Sequence, residues 1–263
     1  MSSAAISLPA TRPSVIGIFL RELRYEFVRA LRTKAYSLSV IGFPVMFYLF
    51  FGLMLNRNGH VDNLSAPKEM LAGYAVFAAI GASLFGIGVG LAGDLSAGWL
   101  ELKRASPMPP IAYLLAKCGT AMMFAVIITT ILVVCGMTMG GVHLSLSEYS
   151  KTLGLIIIGS IPFACMGLLL ALLAPFNSAP GIANMIYLPM SVLGGLWFPI
   201  QILPKICQKF AVVLPTYHLK QLVLSVFGAS TGSASSHFLA LTIFTVLMLS
   251  CAGYFFRRRE QNS

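Results

Sequence analysis

Six uncharged stretches constrain this chain more than any other feature of its sequence. They cover residues 35–55, 70–93, 118–142, 152–174, 181–203 and 237–256. At about 1.5 Å of rise per residue, a helix of about 20 residues crosses the roughly 30 Å hydrocarbon core of a bilayer. The sequence therefore predicts an all-α membrane protein with six transmembrane helices.

The overall composition agrees with this interpretation and excludes a soluble domain. The chain is 57% hydrophobic and 10% charged, whereas an average soluble domain is about 25% charged. A net charge of +10 could favour nucleic acid, but the positive residues sit at the ends of the spans and not on a basic, aromatic surface. We therefore attribute the excess of positive charge to residues that flank the spans and orient them in the membrane.

The distribution of positive charge predicts the orientation in the membrane. With six spans, both termini lie on the same side. Placing them in the cytoplasm puts 12 of the 18 Lys and Arg residues inside and 6 outside, in agreement with the positive-inside bias. The sequence predicts a multi-pass protein of the cytoplasmic (inner) membrane with both termini cytoplasmic. Residues 257–263 form its basic cytoplasmic tail.

The region before the first span divides into a tail and a helix. Residues 1–14 are small and polar and contain Pro9 and Pro13, a composition that predicts a flexible tail. In residues 15–34 apolar positions recur at helical spacing, which predicts an amphipathic helix in the membrane interface. Its other face is charged and is expected to contact anionic headgroups; the alternative is a solvated cytosolic helix. The charged residues are Arg21, Glu22, Arg24, Arg29 and Arg32.

The loop between the second and third spans, residues 94–110, has the sequence DLSAGWLELKRASPMPP. It is the most distinctive loop of the chain, because it combines two acids, two bases, a tryptophan and three prolines. With the termini inside, this loop is cytoplasmic, where another protein can bind it. Apolar and charged residues alternate in its middle, which predicts a short amphipathic helix that ends before Pro107. The alternative for Glu101, Lys103 and Arg104 is an interfacial anchor without a partner.

A second unusual region follows the fifth span, on the outer side. Within residues 201–227, two short apolar segments, each too short to cross the bilayer, are separated by prolines. They are predicted either to dip into the outer leaflet as re-entrant helices or to lie flat on it. The residues of this motif are Phe198, Pro199, Leu203, Pro204, Leu214, Pro215 and Thr216.

Read together, the two regions resemble the membrane subunit, or permease, of an ABC-2 type ATP-binding-cassette transporter. In that family a segment after the second span is similar to DLSAGWLELKRASP at residues 94–107, followed by a segment like AYLLAK at residues 112–117. A second family feature is similar to GLWFP at residues 195–199, continuing to LPT at residues 214–216. The resemblance extends over nearly the whole chain.

The resemblance implies a six-helix subunit that pairs with an identical or a different permease subunit and rests on two cytoplasmic ATPase subunits. It implies that the N-terminal helix lies on the membrane and that residues 94–110 include a coupling helix that docks into the ATPase. The coupling residues would be Asp94, Gly98, Glu101, Lys103 and Arg104. Members of the family export drugs, lipids, polysaccharides or peptides, and the uncharged spans favour a hydrophobic or amphiphilic cargo.

The chain contains no GxxxxGK[ST] phosphate loop, so ATP and Mg are expected to bind to the partner ATPase and not to this chain. No metal site is expected, since the five cysteines lack a metal-binding spacing. No catalytic residue is expected either, since the acids and histidines are scattered. The chain is thus predicted not to be an enzyme. A membrane enzyme, and a passive channel or membrane scaffold without an ATPase partner, are the alternatives.

Overall fold

Nine helices, one 3-10 turn and one small hairpin lie in the part of the chain that the structure describes. The structure is a computed structural model, and it describes residues 15–56, 58–61, 63–98 and 110–261. The helices are α1 (Val15–Arg32), α2 (Lys34–Leu55), α3 (Ala66–Ser96), α4 (Pro110–Met139), α5 (Leu146–Leu173), α6 (Ala179–Leu193), α7 (Lys205–Ala211), α8 (Pro215–Val226) and α9 (Ala234–Gln261). The antiparallel hairpin joins β1 (His60–Val61) to β2 (Leu64–Ser65). The predicted tail and most of residues 94–110 lie outside the described residues.

The predicted helical membrane fold is confirmed in its main features. Among the described residues, five helices are long and apolar enough to cross a membrane: α2, α3, α4, α5 and α9. An additional helix, α1, precedes them and is amphipathic. The fifth predicted span differs, because α6 has 15 residues, a length of about 22 Å at about 1.5 Å per residue. Six crossings therefore remain a prediction.

The end of α6 explains this difference. The apolar sequence continues to Leu203, but the helix stops at Leu193 because Gly195 adopts a φ of +71°, a conformation that favours glycine. A Cβ on the preceding Gly194 would lie 2.2 Å from Oγ1 of Thr216. Contacts with α8 thus determine where the turn forms. These contacts cannot be predicted from the hydrophobicity of the sequence around the turn.

Helix α3 forms the centre of the bundle. Within Ala66–Ser83 every residue except Lys68 is buried. Tyrosine hydroxyls of its neighbours donate hydrogen bonds to its backbone: Tyr48 to the Pro67 carbonyl at 3.2 Å, Tyr187 to that of Phe77 at 3.0 Å and Tyr36 to that of Ala82 at 3.3 Å. Such bonds are strong where water is excluded. They fix the register of α2 and α6 against α3.

Replacing Gly73 with alanine is expected to destabilise the protein by about 1 to 3 kcal/mol through overpacking. A Cβ at Gly73 would lie 2.2 Å from the backbone carbonyl oxygen of Leu196, so α3 must move away from the turn after α6. The matched control is Gly154→Ala on α5, where a Cβ meets nothing within 4 Å. Thermal unfolding in detergent compares the two variants. Equal unfolding temperatures for them would contradict this packing.

Candidate functional site

The N-terminal helix α1 packs across one end of the bundle, which we call the α1 side. Here α3 ends and α4 begins. Leu23 of α1 fills the space beside Gly119, where a Cβ would lie 2.8 Å from its Cδ1 atom. One turn further along, the rings of Phe27 and Phe124 pack with their centroids 5.6 Å apart. These apolar contacts hold α1 against α4.

Five polar side chains meet beneath α1 and form what we call the charge cluster: Glu26, Arg29, Asp94, Tyr113 and Lys117. Nζ of Lys117 lies 2.9 Å from Oε2 of Glu26 and 2.8 Å from Oδ2 of Asp94. Nη2 of Arg29 lies 2.7 Å from Oδ1 of Asp94, and the Tyr113 hydroxyl donates a hydrogen bond to Oδ2 of the same carboxylate. The charge cluster therefore joins α1, α3 and α4 at a single point.

The charges in the cluster balance, with two acids and two bases. The side chains of Lys117, Glu26 and Asp94 are 3 to 5% exposed, whereas that of Arg29 is 42% exposed. The hydrogen bond to Asp94 raises the pKa of Arg29 above its ordinary value, although partial burial opposes this. Buried ions depend on each other, because removing one leaves its partner's charge without compensation in a low dielectric.

The structure places the predicted charged residues of α1 in two groups. Arg21, Arg24 and Arg32 are exposed, as a headgroup contact requires, and Glu22 is half-buried. Arg29, which was expected to face headgroups as well, instead binds Asp94. The surface position of the other arginines in a membrane remains a prediction.

Two of the predicted coupling residues lie within the described part of the chain. Asp94 was expected to begin an exposed loop, but it belongs to the last turn of α3 and is buried in the charge cluster. Gly98 follows with a φ of +68° and open space where a Cβ would be. Glu101, Lys103 and Arg104 lie outside the described residues.

Glu26, Tyr113 and Lys117 were not predicted as site residues, although Tyr113 and Lys117 lie in the AYLLAK segment of the family resemblance. A signal for Glu26 was present, because it lies three residues after Leu23 and beside Phe27, within the apolar stripe of α1. A carboxylate in an apolar stripe indicates a buried cationic partner. For Lys117 the helical spacing from Tyr113 places both side chains on one face of α4.

The opposite end of the bundle, which carries β1 and β2, is called the hairpin side. Here Nζ of Lys220 on α8 lies 2.6 Å from Oε1 of Glu69 on α3, and both side chains are buried. The same ammonium donates a hydrogen bond to the Gly195 carbonyl. The hydroxyl of Thr216 donates to the Met190 carbonyl at 3.1 Å. These contacts attach α8 to α3 and to the end of α6.

The predicted outer motif lies on the hairpin side, and its prolines start short helices. Pro199 precedes the 3-10 turn Ile200–Ile202, Pro204 precedes α7, and Pro215 is the first residue of α8. Proline suits these positions because its fixed φ is helical and its missing N–H is not needed there. Of the remaining members, Phe198 packs on Phe51. Leu203 ends the 3-10 turn, and Leu214 directly precedes α8. The last member is Thr216.

A cavity of about 400 Å³ opens between α2, α3 and α6. Most of its wall is aromatic and includes Phe43, Phe47, Phe85 and Trp197, and Asn184 adds an amide. The buried indole nitrogen of Trp197 has no hydrogen-bond partner among the described residues. A larger groove of about 920 Å³ on the outer face of α2 and α4 is lined by apolar residues alone.

A family model described as ABC-2 type transporter matches residues 19–228. The chain belongs to the ABC-2 type transporter family. The matched region extends from α1 through the charge cluster to the end of the outer motif. This permease is also 30% identical over 193 residues to a protein of Bacillus subtilis (strain 168) named "Putative transport permease YvfS". That alignment covers 73% of this chain and 78% of the relative.

Family membership establishes the protein as a multi-pass membrane transport permease of the ABC-2 type. Transport permeases of this family are not themselves enzymes, and membership of the family implies an ABC transporter system with a partner ATPase.

Proposed function

We propose that this permease is the transmembrane subunit of an ATP-driven exporter that moves a hydrophobic or amphiphilic cargo across the cytoplasmic membrane. The charge cluster carries this proposal. Asp94 stands just before the loop between α3 and α4, and Tyr113 and Lys117 stand just after it. Both ends of the loop are therefore tied to each other and to α1.

Such a loop suits the transmission of force from an ATPase. Shifting a two-state transporter from about 99:1 to about 1:99 takes roughly 5.5 kcal/mol of differential binding. Ion pairs of 2.7 to 2.9 Å hold the chain just before and just after the loop. A displacement of the loop is therefore expected to move α1, α3 and α4 together. Glu101, Lys103 and Arg104 are proposed to contact the ATPase, with Asp94 and Gly98 positioning the loop.

The cavity between α2, α3 and α6 supports an amphiphilic cargo. Its aromatic wall suits an apolar body, while the amide of Asn184 offers hydrogen bonds to a polar part. We prefer this cavity to the larger groove on α2 and α4 as the cargo site. The groove is lined by apolar residues alone, so lipid chains can fill it and no polar group there would orient a cargo.

The proposed assembly contains two copies of a cytoplasmic ATPase, which bind ATP and Mg, and a second permease subunit, identical or different. Both termini are placed in the cytoplasm, so the α1 side is inside and the hairpin side outside. In this arrangement α6 and the chain following it complete a sixth crossing, and α7 and α8 form the outer re-entrant region. Exposed Arg21, Arg24 and Arg32 face anionic lipid.

The test is affinity purification of the full chain, expressed with its native neighbouring proteins, followed by an ATPase assay. A soluble ATPase is expected to co-purify. Glu101→Arg, and separately Lys103→Glu with Arg104→Glu, are expected to weaken its binding about tenfold or more, since each reversal brings like charges together at the interface. Lys205→Glu, an exposed residue on the hairpin side, is the matched control and is expected to leave binding unchanged.

A stable chain that purifies without any ATPase would overturn the proposed function in favour of a channel or scaffold. Co-purification that is equally strong in all three variants would keep the ATPase partner and refute the contact through this loop.

A further inference from the structure

Two histidines on the hairpin side face each other across the contact between α8 and α9. Nδ1 of His218 lies 2.8 Å from Nδ1 of His237. Their other ring nitrogens point at backbone carbonyls: Nε2 of His218 lies 2.9 Å from the Val212 oxygen, and Nε2 of His237 lies 2.8 Å from the Thr231 oxygen. His237 is buried and His218 half-buried. We call these two residues the histidine pair.

The partners of the pair determine how many protons it carries. A carbonyl oxygen only accepts hydrogen bonds, so each Nε2 must carry a hydrogen. If both rings are neutral, both Nδ1 atoms are then bare lone pairs, which repel each other at 2.8 Å. A single additional proton between them converts this repulsion into a charge-assisted hydrogen bond. A second additional proton would place two N–H groups against each other.

A metal ion between the two rings fits this geometry less well than a proton. Zn²⁺ binds imidazole nitrogens at about 2.0 to 2.1 Å, which at a tetrahedral angle separates two ligand nitrogens by about 3.3 Å. The distance of 2.8 Å matches an N–H···N hydrogen bond. Within the described residues, no group of three or more His, Cys, Asp and Glu side chains could complete a metal site.

We propose that the histidine pair is a proton-binding site that holds one proton between the two Nδ1 atoms and separates when it binds a second. Tyr217 is a titratable neighbour of both rings, with its ring centroid 5.5 and 6.0 Å from the two imidazoles. The other contacts are backbone carbonyls in the turn before α8 and the segment before α9.

The direction of the shift at His218 agrees with a site that resists a second proton. Burial lowers the pKa of His218, the hydrogen bond to the Val212 carbonyl raises it, and charge on His237 lowers it. Because the unfolded chain takes up the second proton more readily, stability is expected to fall as pH drops below about 6.5, the ordinary His pKa. Acid would thus loosen α8 from α9. With the proposed topology, this contact senses the pH outside the cell.

The experiment is a pH titration, from about pH 8.5 to about pH 4.5, of the full chain labelled with ¹⁵N-histidine in lipid nanodiscs, followed by NMR. The ring nitrogens of His218 and His237 are expected to shift together in two steps. The second step is expected about one pH unit or more below the first. In His218→Asn the two coupled steps are expected to be lost, while His143→Asn, a change at an exposed position, leaves them unchanged.

A single step for each ring, with the His218 and His237 signals changing independently, would refute the proposal. So would equimolar Zn²⁺ if it raised the unfolding temperature of the wild type but not of His218→Asn, since the pair would then be a metal site. The wild-type spectrum decides the proton count even if the variant fails to fold. It does so without any transport assay, so the outcome is separate from that for the proposed function.

Discussion

Replacing Lys117 with methionine is expected to lower the free energy of unfolding by about 3 to 5 kcal/mol, the typical effect of breaking a buried ion pair on one side. The ammonium contacts both carboxylates of the charge cluster, at 2.9 Å for Glu26 and 2.8 Å for Asp94. Without it, two buried negative charges share one arginine, which is partly in solvent. Chemical or thermal unfolding of the purified chain in nanodiscs measures the change.

Two further variants separate charge from packing at this site. In Glu26→Gln with Lys117→Met, Arg29 and Asp94 remain as a balanced pair, so most of the lost stability is expected to return. Lys68→Met is the matched control, because Lys68 pairs with Glu148 at 2.7 Å where the side chains are 16% and 25% exposed; its effect is expected to be about 0 to 1 kcal/mol. If Lys117→Met is no more harmful than this control, the cluster does not hold the helices together.

Lys220→Met is expected to have the second largest effect, about 3 kcal/mol, because it strands the Glu69 carboxylate and removes the donor to the Gly195 carbonyl. The loss is smaller than at Lys117 because Glu69 lies in the first turn of α3, where the helix dipole favours a negative charge. Unfolding measurements under the same conditions compare the two.

The double variant Glu69→Gln with Lys220→Met tests whether the hydrogen bond from Lys220 to the Gly195 carbonyl contributes to stability. It removes the stranded charge but leaves the carbonyl without its donor, so recovery is expected to be incomplete. Lys205→Met, at an exposed position on α7, controls for the loss of a lysine on the hairpin side. Complete recovery in the double variant would show that the Gly195 contact contributes nothing to stability.

The spans could be predicted from sequence because crossing a bilayer is a property of a single segment. An uncharged run of sufficient length suffices, and it located α2, α3, α4, α5 and α9. The end of α6 could not be predicted this way. Its apolar run continues past Gly195, and the turn there depends on Thr216 and Lys220, which follow much later in the chain.

The charge cluster illustrates the same limit more strongly. Glu26 and Lys117 are 91 residues apart, and Arg29 and Asp94 are 65 apart, so no local pattern joins them. The composition of residues 94–110 predicts a cytoplasmic loop that begins at Asp94. Three-dimensional packing instead places this carboxylate inside the protein. The resemblance includes the segment that carries Tyr113 and Lys117, but it does not say that these side chains bind Asp94.

The contrast between α3 and α9 has a consequence for the response of the protein to its lipid environment. In the most apolar stretch of α3 78% of the residues are buried within this chain, against 11% in α9. A change in bilayer thickness acts on helices through the surface that they share with lipid, most easily by changing their tilt. It is therefore expected to act mainly on α9, and through the histidine pair on α8. Helix α3, at the centre of the bundle, is expected to change least when the membrane composition changes.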